Sequence, residues 1–198
     1  MKNRFLLSAL ASLCLGTHGY AEPHKVDFSK PDMDGWKSTL STKRITYSKK
    51  RYISGGGGGI SGGGGGGRWV TDWQKNKTVT SNSFRSISSN VARIDTIKPF
   101  APATTTHISD WSLETSFASP RLDLTIHEND GLRFEYRHQA GFQVILYYSS
   151  DAGENWKPLN NITLTKSDSF KSRKVNLENK TQTDEFMVKF VVIDKAGI

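Results

Sequence analysis

The sequence has little cysteine: Cys14 is the only one among 198 residues. A lone thiol cannot close a disulfide within its own chain, and cysteine-based zinc sites need several such ligands. Small domains need covalent cross-links mainly below about 70–80 residues. We therefore predict a fold that is held together by its apolar core.

Patterns typical of catalytic sites are also missing. The sequence contains no H-E-x-x-H spacing, and its Asp and Glu residues are scattered. His107, His127 and His138 each stand alone near a predicted loop or strand end, where surface histidines are common. The residues themselves give no candidate catalytic group, no metal ligands and no cofactor.

Long apolar runs are confined to the N-terminus. Lys2 and Arg4 precede an apolar run over 5–15, and small residues follow up to Ala21. This order is typical of a secretory signal peptide, and the run is too short to span a bilayer of about 30 Å. We predict a signal peptide over 1–21 and a secreted or cell-surface protein. No later segment is apolar enough to cross a membrane, and an exported chain without disulfides favours a bacterial source.

Helical periodicity is absent, and short runs of β-branched and aromatic residues dominate instead. In "LRFEYR", Leu132, Phe134 and Tyr136 should share one face of a strand. "FMVKFVVI" predicts a central strand buried on both faces. Turn sequences separate these runs, and residues 98–110 indicate a surface loop. The pattern predicts one all-β domain over 22–198, an antiparallel β-sandwich.

A glycine tract interrupts this pattern. Residues 55–67 include 11 of the 18 glycines. A phosphate-binding loop would need Lys and then Ser or Thr after its last glycine, but Arg68 and Trp69 follow here. We predict a flexible insertion at 54–67. Because closure entropy grows slowly with loop length, deletion of residues 55–67 should leave folding intact.

Positive charge and tryptophan flank the glycine tract. The formal net charge is +8, and the segment "TKRITYSKKRY" includes Lys49, Lys50 and Arg51. Such a patch attracts acidic polymers, or it protects a solvated strand edge from pairing. Trp69 and Trp73 are four residues apart, which on one strand places both on the same face. They would either stack on sugar rings or cover the core, whereas Trp36 and Trp111 are predicted core anchors. The five candidate ligand-binding residues are Lys49, Lys50, Arg51, Trp69 and Trp73.

The segment "SSDAGENW" fits the Asp-box pattern Ser-x-Asp-x-Gly-x-x-Trp. The matching residues are Ser149, Asp151, Gly153 and Trp156. In this motif the aspartate caps a tight hairpin turn and the tryptophan packs beneath it. Sialidase propellers carry the motif, but a propeller needs several blades and a single copy cannot supply them. We therefore interpret these residues as a structural turn.

Several segments together resemble the choice-of-anchor J or cleaved-adhesin domains, relatives of the MAM-type jelly rolls. The matching segments are "SPRLDL" from Ser119, "LRFEYRH" from Leu132, the Asp-box strand, and an opening Phe28…Gly35-Trp36. The resemblance implies a galactose-binding or MAM-like jelly-roll fold used for attachment, in which structural calcium is possible. The chain departs from the family in two ways: Trp111 stands well ahead of Pro120, and the family's last strand is not found after "DKAGI".

These observations favour a secreted or cell-surface, non-catalytic adhesion module that recognises a glycan or a surface protein and no nucleic acid. One alternative is a jelly-roll hydrolase or lyase that acts on polysaccharides through a basic cleft around Lys43–Arg51. A second alternative is a truncated fragment of a larger surface protein. The ligand, the metal content and the oligomeric state are left open by the sequence.

Overall fold

The structure is a computed structural model of the 198-residue chain. It describes residues 4–8, 25–54, 67–87, 90–95, 103–109, 111–125, 131–138, 142–159, 164, 167–177 and 183–196.

The regular secondary structure of the described residues is β-strand, apart from one short 3-10 turn at Met33–Gly35. The strands are β1 (Arg4–Ser8), β2 (Lys37–Leu40), β3 (Thr42–Ile53), β4 (Arg68–Thr80), β5 (Arg85–Ile87), β6 (Val91–Asp95), β7 (His107–Ile108), β8 (Trp111–Ala118), β9 (Gly131–His138), β10 (Phe142–Ser149), β11 (Lys157–Pro158), β12 (Lys171–Asn176) and β13 (Met187–Ala196).

The strands assemble into three antiparallel sheets. The first sheet has the order β12-β9-β1-β6-β5, and the second has the order β11-β10-β13-β8-β2. A smaller third sheet has the order β4-β3-β7. The prediction of an all-β antiparallel fold is confirmed.

The main core lies between the two five-stranded sheets. Leu132, Phe134 and Tyr136 of β9 are buried there, while Arg133 on the opposite face is exposed. This alternation confirms the prediction for "LRFEYR". From the second sheet, Val188 and Phe190 of β13 enter the same core. The two inner faces thus interdigitate as they do in a β-sandwich.

Strand β13 is central, as predicted, because it pairs with both β10 and β8. Only one of its faces is fully buried, so the prediction of burial on both faces is wrong. The outer face is half-covered, and Lys189 lies there with its Nζ 3.9 Å from the centre of the Trp156 ring. Partial burial lowers the pKa of the Lys189 ammonium. An alkyl stem and a cation over an indole ring cover this face without a further layer.

The predicted signal peptide overlaps a strand of the first sheet. Backbone residues 4–8 form β1, which lies between β6 and β9. Residues 1–3 and 9–24 lie outside the described part of the chain. The sheet order given above is therefore that of the uncleaved chain, and cleavage after Ala21 stays a prediction. Among the described residues, no helix is long and apolar enough to cross a membrane.

Aromatic rings fill one end of the core. Phe117 is fully buried, and its ring centre lies 4.3 Å from that of Phe84, 5.0 Å from that of Trp36 and 5.5 Å from that of Phe28. Trp36 is buried, as predicted for a core anchor. Phe117 is therefore the ring on which this cluster centres.

We expect Phe117→Ala to lower the free energy of unfolding by about 3–5 kcal/mol, because it removes a buried ring and leaves a cavity among rigid neighbours. Urea unfolding followed by tryptophan fluorescence measures the change. Phe170, which is 40% exposed, provides the matched control. Phe170→Ala should cost less than about 1 kcal/mol, and equal losses in the two variants would contradict this placement of the core.

Candidate binding surface on the β3–β4 arm

Strands β3 and β4 form a long hairpin, which we call the arm (residues 42–53 and 68–80). Their pairing runs from Thr42 opposite Thr80 to Ile53 opposite Arg68. The predicted insertion therefore joins two antiparallel strands at the outer end of the arm. Most of that insertion, residues 55–66, lies outside the described residues.

The base of the arm is anchored by a second apolar cluster. Ile45 and Tyr47 of β3 are buried against Trp111 and Leu113 of β8. Burial raises the pKa of the Tyr47 phenol. Trp111 is thus buried, as predicted, but in this cluster rather than in the main core.

A short segment (residues 106–109), which we call the strap, pairs with the edge of β3 that faces away from β4. It lies within the predicted surface loop at 98–110, and its residues His107 and Ile108 form β7 against Ser48 and Tyr47. The strap ends near Lys50, whose backbone N–H donates to the Thr106 hydroxyl at 2.7 Å. From Arg51 outward, β3 is exposed.

A β-bulge changes which side chains of β4 share a face with those of β3. Lys49 is opposite Trp73 but Lys50 is opposite Thr71, so Asp72 is an extra residue on β4. One extra residue inverts the alternation of all later side chains. Trp69 and Trp73 consequently point to opposite faces, and the prediction that they share one face is wrong.

The two tryptophans have different environments. Trp73 is half-buried and packs against the cluster of Ile45 and Trp111 at the base of the arm. Trp69 is 68% exposed near the outer end. The sequence left open whether these tryptophans cover the core or stack on a ligand. Trp73 covers the core, and Trp69 is available to a ligand.

Trp69 forms an exposed aromatic pair with Tyr52, its partner across the strands. The ring centres are 5.4 Å apart and the planes make an angle of 65°. The Tyr52 ring also lies against Gly67, in the space that a Cβ atom there would occupy. Sequence reasoning missed Tyr52, although alternation along β3 places it on the face of Lys50. We call the side that carries Lys50, Tyr52 and Trp69 the aromatic face.

The opposite side, the basic face, carries most of the cations. Lys49 and Arg51 lie there, so the three predicted basic residues are divided between the two faces. The Arg51 Nε forms an ion pair with the bulged Asp72 at 2.7 Å. By alternation the basic face comprises Lys43, Lys49, Arg51, Arg68, Lys75 and Lys77.

The arm as a whole is strongly positive. Its two strands contain eight Lys and Arg residues and one carboxylate, Asp72. At physiological salt, charges act over about 8 Å, so these side chains produce one continuous positive field. The arm thus joins exposed aromatic rings to a surface that attracts anions.

The Asp-box residues lie in the turn between β10 and β11, away from the arm in the strand order. The Ser149 hydroxyl donates to Asp151 at 2.6 Å, and the Asn155 N–H and side-chain amide donate to the same carboxylate. These hydrogen bonds, that of Ser149 above all, lower the pKa of Asp151 to about 2. Gly153 has φ +89°, a conformation that favours glycine, and a Cβ atom there would lie 3.3 Å from the Trp156 ring. This geometry is that of a capped turn.

Of the three histidines expected at the surface, His138 differs from the expectation. His138 is buried, with its Nε2 2.7 Å from the Leu164 carbonyl oxygen, whereas His107 is exposed. His127 lies outside the described residues. Within the described part of the chain, no three His, Cys, Asp or Glu side chains are grouped closely enough to hold a metal ion.

Comparison of the chain with protein-family models, with curated proteins and with solved structures finds no match. The assignment of a function therefore depends on the residues and geometry described above.

The hairpin register changes the predicted deletion of residues 55–67. That deletion would leave only Ser54 between the paired residues Ile53 and Arg68, whereas the shortest common hairpin loops have two residues. Replacement of residues 55–66 by Asn-Gly keeps Ser54 and Gly67. We expect the free energy of unfolding to stay unchanged or to rise by up to about 1 kcal/mol, because a shorter loop costs less closure entropy. A fall of several kcal/mol in urea unfolding would show that the insertion contributes to the fold.

The Asp-box turn should make stability depend on pH in acid. Asp151 has a lowered pKa of about 2 in the folded chain. Its stabilising effect is therefore complete above the unfolded value near 4 and is lost as the pH falls toward 2. Asp151→Asn lacks this titration, so its melting temperature should approach that of the unmodified chain between pH 4 and pH 2.

Ser149→Ala is the companion variant. It removes the hydroxyl that lowers the Asp151 pKa most, so its melting temperature should fall less than that of the unmodified chain over the same pH range. If the melting temperatures of all three proteins fell equally between pH 4 and pH 2, the role given to this carboxylate would be contradicted.

Proposed function

We propose that the protein is an exported, non-catalytic attachment module that binds a glycan through the arm, on a jelly-roll sandwich of the choice-of-anchor J type. The observation that carries the proposal is the exposed Tyr52–Trp69 pair. Large aromatic side chains side by side in water are rare on a surface with no partner.

The position of this pair favours recognition of a ligand over packing. Tyr52 is 55% exposed and Trp69 is 68% exposed, and both lie beyond the strap that covers β3. Each ring is held by paired backbone on a strand, so little conformational entropy is lost when a ligand stacks on it. Sugar rings present apolar C–H faces to such side chains, while their hydroxyls remain in water.

The fold and the predicted export are consistent with attachment. The chain is an antiparallel β-sandwich, as the resemblance implies, and the jelly-roll connection order is part of the proposal. An N-terminal segment of the signal-peptide type would deliver the domain to the cell exterior, where glycans are abundant. The Asp-box and the core aromatics serve the fold in this proposal, and the arm serves binding.

Trp69→Ala tests the proposal directly. We expect dissociation constants on a panel of immobilised neutral and acidic glycans to rise about tenfold or more for each glycan that the unmodified chain retains, because a stacked aromatic anchor is lost. Stability should change by less than about 0.5 kcal/mol, since the ring is exposed.

Phe170→Ala is the matched control, since it removes an exposed aromatic side chain far from the arm in sequence. Its affinities should equal those of the unmodified chain. Failure of the unmodified chain to bind any glycan on the panel, or equal losses in both variants, would refute the proposed function.

A further inference from the structure

We propose that the ligand is an acidic sugar polymer that lies along the aromatic face, with an acid group of the polymer against Lys50. This inference depends on the proposed function. It adds the class of the ligand and the face of the arm on which the ligand lies. It begins from Lys50, which alternation along β3 places on the face of Tyr52 and opposite the face of Lys49 and Arg51.

Lys50 is placed to contact a sugar that stacks on Trp69. The pairs Lys50–Thr71 and Tyr52–Trp69 are successive pairs on one face of the arm. Alternate residues of a strand are roughly 6.6–6.8 Å apart, a span that one sugar ring and its acid group cover. The Lys50 ammonium would then form a charge-assisted hydrogen bond to a carboxylate or sulfate of that sugar.

Lys50 is also exposed and, among the described residues, has no carboxylate in an ion pair with it. Arg51 differs, because its guanidinium already contacts Asp72. An anion that reaches the aromatic face therefore meets a cation whose charge has not been neutralised nearby.

The rest of the aromatic face favours a sugar chain over other polyanions. Gln74, Asn76 and Thr78 continue this face along β4 and are exposed. Their amide and hydroxyl groups suit a polymer with many hydroxyls and only occasional charges. A nucleic acid carries a charge on every unit and would be drawn instead to the basic face, where six cations lie.

The test uses two neighbouring lysines as a matched pair. Lys50→Gln and Lys49→Gln change the net charge equally, and both sites lie within the same electrostatic field. The probes are a polygalacturonate that is methyl-esterified except at occasional units and its fully methyl-esterified form, which share a backbone and differ in charge. Binding is measured at 150 mM salt, with dissociation rates recorded.

We expect Lys50→Gln to weaken polygalacturonate binding about fivefold, mainly through faster dissociation, because a direct contact is lost. Lys49→Gln should weaken it less than about twofold, through association alone. Neither variant should alter the weaker binding of the methyl ester.

Equal effects of the two variants would overturn the inference, since they would indicate a diffuse electrostatic attraction. A second outcome is that Trp69→Ala abolishes binding of the methyl ester while Lys50→Gln affects neither probe. This outcome would refute the acidic ligand and leave the proposed function standing. Tighter binding to oligothymidylate or to phosphatidylserine vesicles, with the same sensitivity to Lys50→Gln, would assign the face to another class of anion. Failure to bind any glycan would refute the proposed function itself.

Discussion

Burial of the base of the arm is the interaction on which the rest of the surface depends. An isolated two-stranded hairpin is only marginally stable in water. Here Ile45 and Tyr47, which are 0% and 2% exposed, pack on Trp111 and Leu113 of β8. Strand β8 is itself fixed by pairing with β13 in the second sheet. The sandwich thus stabilises the inner half of the hairpin, and the outer half need contribute nothing to a core. This division is what leaves the outer side chains free for another use.

The bulge at Asp72 then decides what those outer side chains present. In a regular hairpin, Trp69 would follow Trp73 on the face that packs at the base, and Tyr52 would have no aromatic partner across the strands. The extra residue moves Trp69 to the other face and brings it opposite Tyr52. Asp72 also pairs with Arg51, so the residue that creates the bulge neutralises part of the charge beside it. One inserted residue therefore brings two exposed aromatic rings together on the face that carries Arg44 and Lys50.

The local sequence pattern was sufficient to predict strands, but it was insufficient to predict which side chains share a face of the arm. The alternation in β9 was predictable because one face is buried and the other is not. The bulge was not predictable, because it depends on how β3 and β4 pair. The spacing of four residues between Trp69 and Trp73 is the same whether or not one of the residues between them is bulged. Burial of His138 is possible because a carbonyl 26 residues away accepts its ring N–H, and no neighbouring residue in the sequence indicates this contact. The apolar run at the N-terminus satisfies the pattern of a leader and that of a strand equally, and residues 4–8 form a strand here.

The sequence left two interpretations of the basic cluster, an acidic ligand or the protection of a strand edge. Edge protection suits β4, a strand outside that cluster, because the described residues show no strand paired to its outer side and Lys75 and Lys77 lie on it. Edge protection does not explain Lys50. Strand β3 pairs with β4 along its whole length, and the strap covers its other side as far as the Lys50 N–H. A cation on a paired strand contributes little to blocking a free edge. Edge protection therefore explains the lysines on β4 and leaves Lys50, beside two exposed aromatic rings, as the charge that a ligand explains best.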